Sequence, residues 1–349
     1  MRALVLGLAL LVLPLPAMAE PAWSARLEAK LAALEAGFDG ELGVVVRPLG
    51  SDERFGWRAD ESWYLASLIK VPVAIELMAR VEAGEAALDE RLVLHESDYV
   101  DGAGPTNWAP PGAELTLHQL LVAMLTVSDN TASDMLIRRL GLEAVNRRAQ
   151  ALAPGGESLG PITSLVDVRR HVYGGLHPRA VSLSGLDFIE LRKRPSDAAR
   201  LDWLARRLEV PHEALRWRSL DDAFAAYYAT DLNSGRLDAF AELLAALGEG
   251  RALGPAATAR LLSVMERTTS GERRLKAGLG PGVRFAHKTG TQHRRSCDAG
   301  IATLADGAGS HRVAIVACAR GELNLARNEQ VLAAVGRAIR EVGPLAASF

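Results

Sequence analysis

Ser67-Leu68-Ile69-Lys70-Val71-Pro72-Val73-Ala74-Ile75-Glu76-Leu77-Met78-Ala79-Arg80-Val81 is the stretch on which the reading of this chain turns. From Leu68 to Val81 the run is apolar on nearly every side, which predicts a buried helix ended by Gly84. Ser67 and Lys70, three residues apart, then share one face, one turn from each other. An amine placed there can sit against a hydroxyl and take its proton. The serine also stands where the first helical N–H groups lack partners, so donors are available to a developing oxyanion. Pro72 falls in the first turns, where its missing N–H costs little. A serine at a helix start is ordinarily a cap, and a lysine one turn later is ordinarily solvated. Here the flanks are buried, and the chain has only five lysines, Lys30, Lys70, Lys193, Lys276 and Lys288. Arginine does the ordinary surface work, so a lysine inside an apolar run needs a reason.

The chain has 349 residues, enough for a sizeable core. Its net charge of −2 provides no global basic field, and its arginine pairs are scattered, which argues against nucleic acid as a partner. The histidines form no His-Glu-x-x-His and the cysteines no Cys-x-x-Cys, so neither a metal nor a cofactor is expected. Residues 1–19 read as a signal peptide. Arg2 supplies the positive end, Ala3 to Leu15 the apolar stretch, and Ala17-Met18-Ala19 the cleavage site. The expected mature protein is residues 20–349, a periplasmic or secreted monomer with no membrane span after processing.

Outward from the Ser67 stretch, Trp23–Ala36 has helical spacing. Gly43–Leu49 and Glu53–Arg58 read as a hairpin turning at Gly50-Ser51-Asp52. Asp98–Gly112 is turn-rich and reads as a loop. Leu117–Val127 and Thr131–Leu140 are predicted helices joined by Ser128-Asp129-Asn130. The region from Ile162 to Leu232 mixes short helical runs with prolines and glycines and resists assignment. Arg236–Leu247 and Pro255–Arg267 are predicted helices, Val283–Thr291 a strand, and Leu325–Val342 a closing amphipathic helix. Cys297 and Cys318 flank the small-residue turn Asp306-Gly307-Ala308-Gly309 between Ala299–Leu304 and Arg312–Ala317. A hairpin symmetric about that turn would bring the two face to face for a disulfide. Otherwise they are two small buried residues on separate faces. The whole predicts an α/β chain of the α+β type. An antiparallel five-stranded sheet is built from both chain ends and flanked by helices (about 20–60 plus 250–349), with an all-helical lobe, about 67–245, inserted.

Three short segments carry candidate chemistry. Ser67 and Lys70 are the first. Ser128-Asp129-Asn130 is either a helix cap or a proton relay (Ser128) with an amide-binding Asn130. Lys288-Thr289-Gly290, closing a strand, offers a cation and a hydroxyl to a carboxylate. Its glycine lets a substrate lie along the strand edge, with Lys288 and Gly290 on one face. In this order the set resembles the penicillin-recognising serine hydrolases, most closely the class A β-lactamase-like proteins. The resemblance covers most of the mature chain, including Leu115-Thr116-Leu117 and Leu275 to Thr291. It implies acyl transfer to a β-lactam or a cell-wall peptide. Ser67 would be the nucleophile, Lys70 the base with a pKa depressed by burial and a nearby cation, and Ser128 the proton donor to the leaving nitrogen. Lys288 and Thr289 would hold the substrate carboxylate, and the N–H groups of Ser67 and Thr291 the oxyanion. Arg294 or Arg295 could add attraction, and Trp108 either lines the mouth or packs.

The resemblance breaks at one place. Class A β-lactamases carry Glu-x-x-Leu-Asn after the second segment, and no such string exists here. The best local match, Ile162 to Arg169, puts an arginine or an aspartate where the glutamate belongs. Glu157, Asp167 and Glu190 are candidate replacements as the base that activates the releasing water. The expectation is therefore a serine β-lactamase. A penicillin-binding D,D-carboxypeptidase, amidase or esterase, or a binding module without turnover, are the alternatives. Gly156-Glu157-Ser158-Leu159-Gly160 also fits Gly-x-Ser-x-Gly, but that elbow needs a strand before it and a helix after it, and prolines flank it here.

Overall fold

The computed structural model describes residues 22–153, 158–306 and 309–346. The segment read as a signal peptide and Glu157 lie outside them. Five antiparallel strands form the main sheet: β1 (Glu41–Pro48), β2 (Phe55–Trp57), β3 (Val283–Gln292), β4 (Arg295–Asp306) and β5 (Gly309–Arg320). Their spatial order is β2-β1-β5-β4-β3, so the N-terminal hairpin docks onto the C-terminal meander. The β4–β5 register runs symmetrically from Arg295 opposite Arg320 to Asp306 opposite Gly309. It places Cys297 directly opposite Cys318, and the two are joined in a disulfide with Cα atoms 4.1 Å apart.

One sheet face is covered by the helices Ser24–Ala36 and Leu325–Val342, which bury Leu27, Leu31, Leu332 and Ile339 against Val44, Ile315 and Ala317. The other face packs on the helical half through Val45, Ala314, Val316 and the two cysteines. Alternation along β1 and β5 divides the apolar residues between two cores, as a sheet covered on both sides requires.

The helical half is centred on α2 (Lys70–Glu82), in which every residue from Lys70 to Met78 is buried. The expected helix exists, but its entrance differs. Ala66–Ile69 form a 3₁₀ turn before the α-helix starts at Lys70. With three residues per turn, side chains at i and i+3 eclipse, so this turn aligns Ser67 with Lys70 more closely than an α-helix would. Leu117–Thr126 and Asn130–Leu140 are the predicted pair flanking Ser128. The unassigned region resolves into the helices Leu165–Leu176, Gly185–Arg192, Asp197–Arg207 and Leu220–Tyr228. Leu142–Leu152 is a further helix, not anticipated. Among the described residues no helix is long and apolar enough to cross a membrane.

Candidate active site

Ser67, Ser128 and Lys288 come from a 3₁₀ turn, an interhelical turn and a strand, and each is fixed by its backbone. Ala66 has φ +49° and Ser128 φ +63°, left-handed values that a non-glycine residue adopts only where its surroundings impose them. The Ser128 turn is held by Asp129. Its carboxylate accepts the N–H groups of Thr106 and Ala132, both at 2.9 Å, and it caps the Asn130 helix. On the strand, a Cβ added to Gly290 would lie 2.7 Å from Leu65 O and 3.0 Å from Ala66 Cβ. Glycine is thus required for the strand to approach the Ser67 turn. This close packing is a reason for the glycine beside the expected one, a substrate lying on the strand edge.

At the centre stand two wholly buried amines. Lys70 Nζ donates to Ser128 O and to Asn130 Oδ1, each at 2.7 Å, and lies 3.2 Å from Ser128 Oγ. Asp129 O, at 3.4 Å, completes a set of four oxygens around this amine. Lys288 Nζ donates to Thr289 O at 2.8 Å and lies 2.9 Å from the same Ser128 Oγ. One hydroxyl therefore bridges both amines. Burial lowers Lys70 to a pKa of about 7, with Arg169 adding to the shift and Asp129 and Asp134 opposing it. Burial also pushes Lys288 well below the ordinary lysine range, helped by Lys70 and Arg274 and opposed by Asp298. Ser67 is half-buried, with its hydroxyl free of hydrogen bonds among the described residues.

Beyond Lys288 the strand meets Arg274, a buried guanidinium that donates to Gly290 O and Cys297 O at 2.9 Å and to Thr291 Oγ1 at 2.7 Å. Ser270 and Thr289 share a hydrogen bond of 2.6 Å between hydroxyls. The far end of the cleft is built differently. Asn130 Nδ2 donates to Asp101 O at 2.7 Å, and the Asp101 carboxylate pairs with Arg169 Nε at 2.5 Å. Burial works against the Arg169 charge, but the Asp101 pair more than offsets it and holds the guanidinium above its ordinary pKa.

A family model described as a beta-lactamase enzyme family matches residues 26–342, nearly the whole chain. The chain belongs to the beta-lactamase enzyme family. A beta-lactamase of Streptomyces fradiae is 35% identical over 130 residues, covering 36% of this chain and 42% of the relative. The chain thus spans under half the length of this curated relative. The beta-lactamase of Sphaerobacter thermophilus has the same fold, with a TM-score of 0.65, 26% identity and coverage of 92% of this chain and 97% of that one. A mutant of PBP-A, solved as an acyl-enzyme complex with penicillin G, superposes with a TM-score of 0.63 at 21% identity, covering 90% and 94%.

Within this family fold the three distant segments meet: Lys70 reaches Ser128 and Asn130, Lys288 reaches Ser128, and Gly290, between Thr289 and Thr291, packs on the Ser67 turn. The other candidates do not join them. Arg294 pairs with Asp221 and Gly321 O, and Arg295 lies over the Tyr228 ring. The guanidinium that does stand on this part of β3 is Arg274, which the sequence reading did not single out. Its signal was weak, since it sits in the turn-rich link between the Pro255–Glu266 helix and β3. Trp108 is 84% exposed and does not pack. The Asp167 carboxylate accepts from the hydroxyl of Ser164, the cap of its helix, and pairs with Arg170, and Glu190 pairs with Lys193 and Arg194. Neither carboxylate reaches the cleft. The two carboxylates that influence Lys70 are tied to backbone, Asp129 as above and Asp134 to the N–H groups of Leu165 and Val166 at 2.7 and 2.9 Å. Ser158 is followed by irregular chain, where Leu159 bridges Gly235, and not directly by a helix.

Proposed function

We propose that this protein opens β-lactam rings by forming an acyl-enzyme on Ser67. The observation that carries the reading is Ser128 Oγ held between Lys70 and Lys288, at 3.2 and 2.9 Å, beside the Ser67 turn. Neutral Lys70 takes the Ser67 proton as Oγ attacks the lactam carbonyl. Ser128 then donates its proton to the departing ring nitrogen and is reprotonated from the amine pair. Lys288, Thr289 and Arg274 attract the substrate carboxylate. The Ser67 and Thr291 N–H groups receive the oxyanion. Asn130 keeps one amide N–H for the substrate's acyl amide. The leader at residues 1–19 and the disulfide support an exported protein in an oxidising compartment.

Release of the acyl group is the slow half of this cycle. It needs a carboxylate that can activate water, and the carboxylates bordering the cleft among the described residues are committed to backbone N–H groups or to Arg169. That observation favours a second reading, an acyl-transfer enzyme of cell-wall peptides for which β-lactams are poorly released pseudo-substrates. A fluorescent penicillin, a chromogenic cephalosporin and a D-Ala-D-Ala peptide test both. Rapid colour supports efficient β-lactam turnover. Durable label with peptide cleavage supports the second reading. Absence of label and of colour from folded protein would refute acylation altogether.

A further inference from the structure

At the Asn130 end of the cleft a cavity of about 260 Å³ opens, lined by Asp101, Arg169, Arg192, Arg200, Gln292 and His293 among others. Gln292 ends β3 four residues beyond Lys288, roughly 13 Å further at about 3.3 Å per residue. Asp101 is joined to Asn130 through its carbonyl. The cavity therefore lies past the Gln292 end of β3 and on the Asp101 side of Asn130.

Its charges are unbalanced. Three guanidinium groups face one lining carboxylate. Asp101 is committed to Arg169, whose side chain is 11% exposed, and reaches Arg192 only at 3.5 Å. Arg192 is 60% exposed and stands between this cavity and a second one, which holds Trp108 and Lys193. Arg200 gives one N–H to Asp197 at 2.9 Å, while its buried Nε has no partner among the described residues. His293 is taken by Asp221. Even with Asp197 counted, cation remains in excess, and guanidinium forks are suited to a carboxylate.

We propose that this cavity is an acyl-side subsite for a carboxylate carried several bonds from the scissile carbonyl. The inference rests on the proposed acylation of Ser67. It deepens that reading by naming the substrate class: acyl donors with an acidic substituent on the acyl side and the usual carboxylate on the leaving side. The first carboxylate meets Arg192 and Arg200, and the second meets Lys288 and Arg274.

The test compares two cephalosporins with the same nucleus, one N-acylated by glutarate and the other by the terminal amide of glutarate. The second-order rate of Ser67 acylation is measured for each by mass spectrometry. The free carboxylate is expected to acylate about tenfold faster, the worth of one charge-assisted hydrogen bond. The ratio should fall towards one in the Arg192→Gln/Arg200→Gln variant and shrink with added salt. Equal rates in the native protein, or an undiminished ratio in the variant, would overturn the subsite and leave Ser67 acylation standing. Acylation by neither compound would overturn both.

Discussion

The two walls of the cleft are built on opposite principles. The sheet wall holds Lys288, Thr289, Gly290 and Thr291 on a ten-residue strand, backed by Arg274 on two main-chain carbonyls and by the Cys297–Cys318 disulfide one strand away. The helical wall, from Asp101 to Arg169, Arg192 and Arg200, is joined by side-chain ion pairs, some of them half-exposed. Backbone-fixed groups hold their geometry through a reaction, whereas exposed ion pairs are weak and adjustable. We read the difference as a division of labour. Bond making belongs to the backbone-fixed groups, Ser67, Lys70, Ser128 and Lys288, and selection of the acyl group belongs to the ion-paired wall.

The strongest way to break this comparison is at the nucleophile. Ser67→Ala should cut acylation on the order of 10⁴-fold, as loss of a nucleophile acting with its base does. Acylation that survived would move the chemistry to another residue. Next is the staple. Cys297→Ser with Cys318→Ser opens a link between positions 21 apart and should cost about 2–4 kcal/mol of stability in urea. The helical wall should keep its ion pairs, so the loss should register in unfolding before it registers in acyl-group preference.

The pH dependence sharpens the comparison further. Lys70 must be neutral to accept the Ser67 proton, and its pKa is about 7. Lowering the pH below that value protonates the amine. The acylation rate should fall about tenfold per unit below pH 7 and level off above it. The stability sign is opposite to that of a paired lysine. Because the folded pKa lies below the unfolded one, the unfolded chain binds the extra proton, and this group makes the fold more stable as pH rises from about 7 towards 10. Arg274→Lys keeps the charge but loses the fork whose Nη1 holds the Gly290 and Cys297 carbonyls and whose Nη2 holds Thr291 Oγ1. It should raise KM for the β-lactam about tenfold with little change in kcat. The smallest effect is expected on the helical side. Asp167→Asn and Glu190→Gln should change the release rate less than about twofold, as surface ion pairs do. A larger drop in either would identify a base that the geometry does not bring to the cleft.

The two walls also differed in how far the sequence revealed them. The hairpin and the C-terminal strands were readable from alternation, and the symmetric turn foreshadowed the Cys297–Cys318 register. Residues 162–232 were not readable by periodicity because their helices are short. A signal was nevertheless present. Ser-x-x-Asp occurs at Ser164, Ser184 and Ser219, and each serine caps a helix through the N–H three residues on. The site residues of the three segments were legible as residue types at fixed spacing. Arg274 and the Asp101–Arg169 pair were not, since their partners lie far away in the chain and no local pattern announces an ion pair closed by tertiary folding. The 3₁₀ entrance at Ser67 was hidden for a related reason, because strand packing against Gly290 shapes it.

The most direct measurement is a time course of intact mass with penicillin G, followed by peptide mapping after the free drug is removed. The account predicts a single penicilloyl adduct on the peptide containing Ser67, absent from Ser67→Ala and persisting once the drug is gone. An adduct on any other residue, or folded protein that yields neither an adduct nor hydrolysed drug, would contradict it.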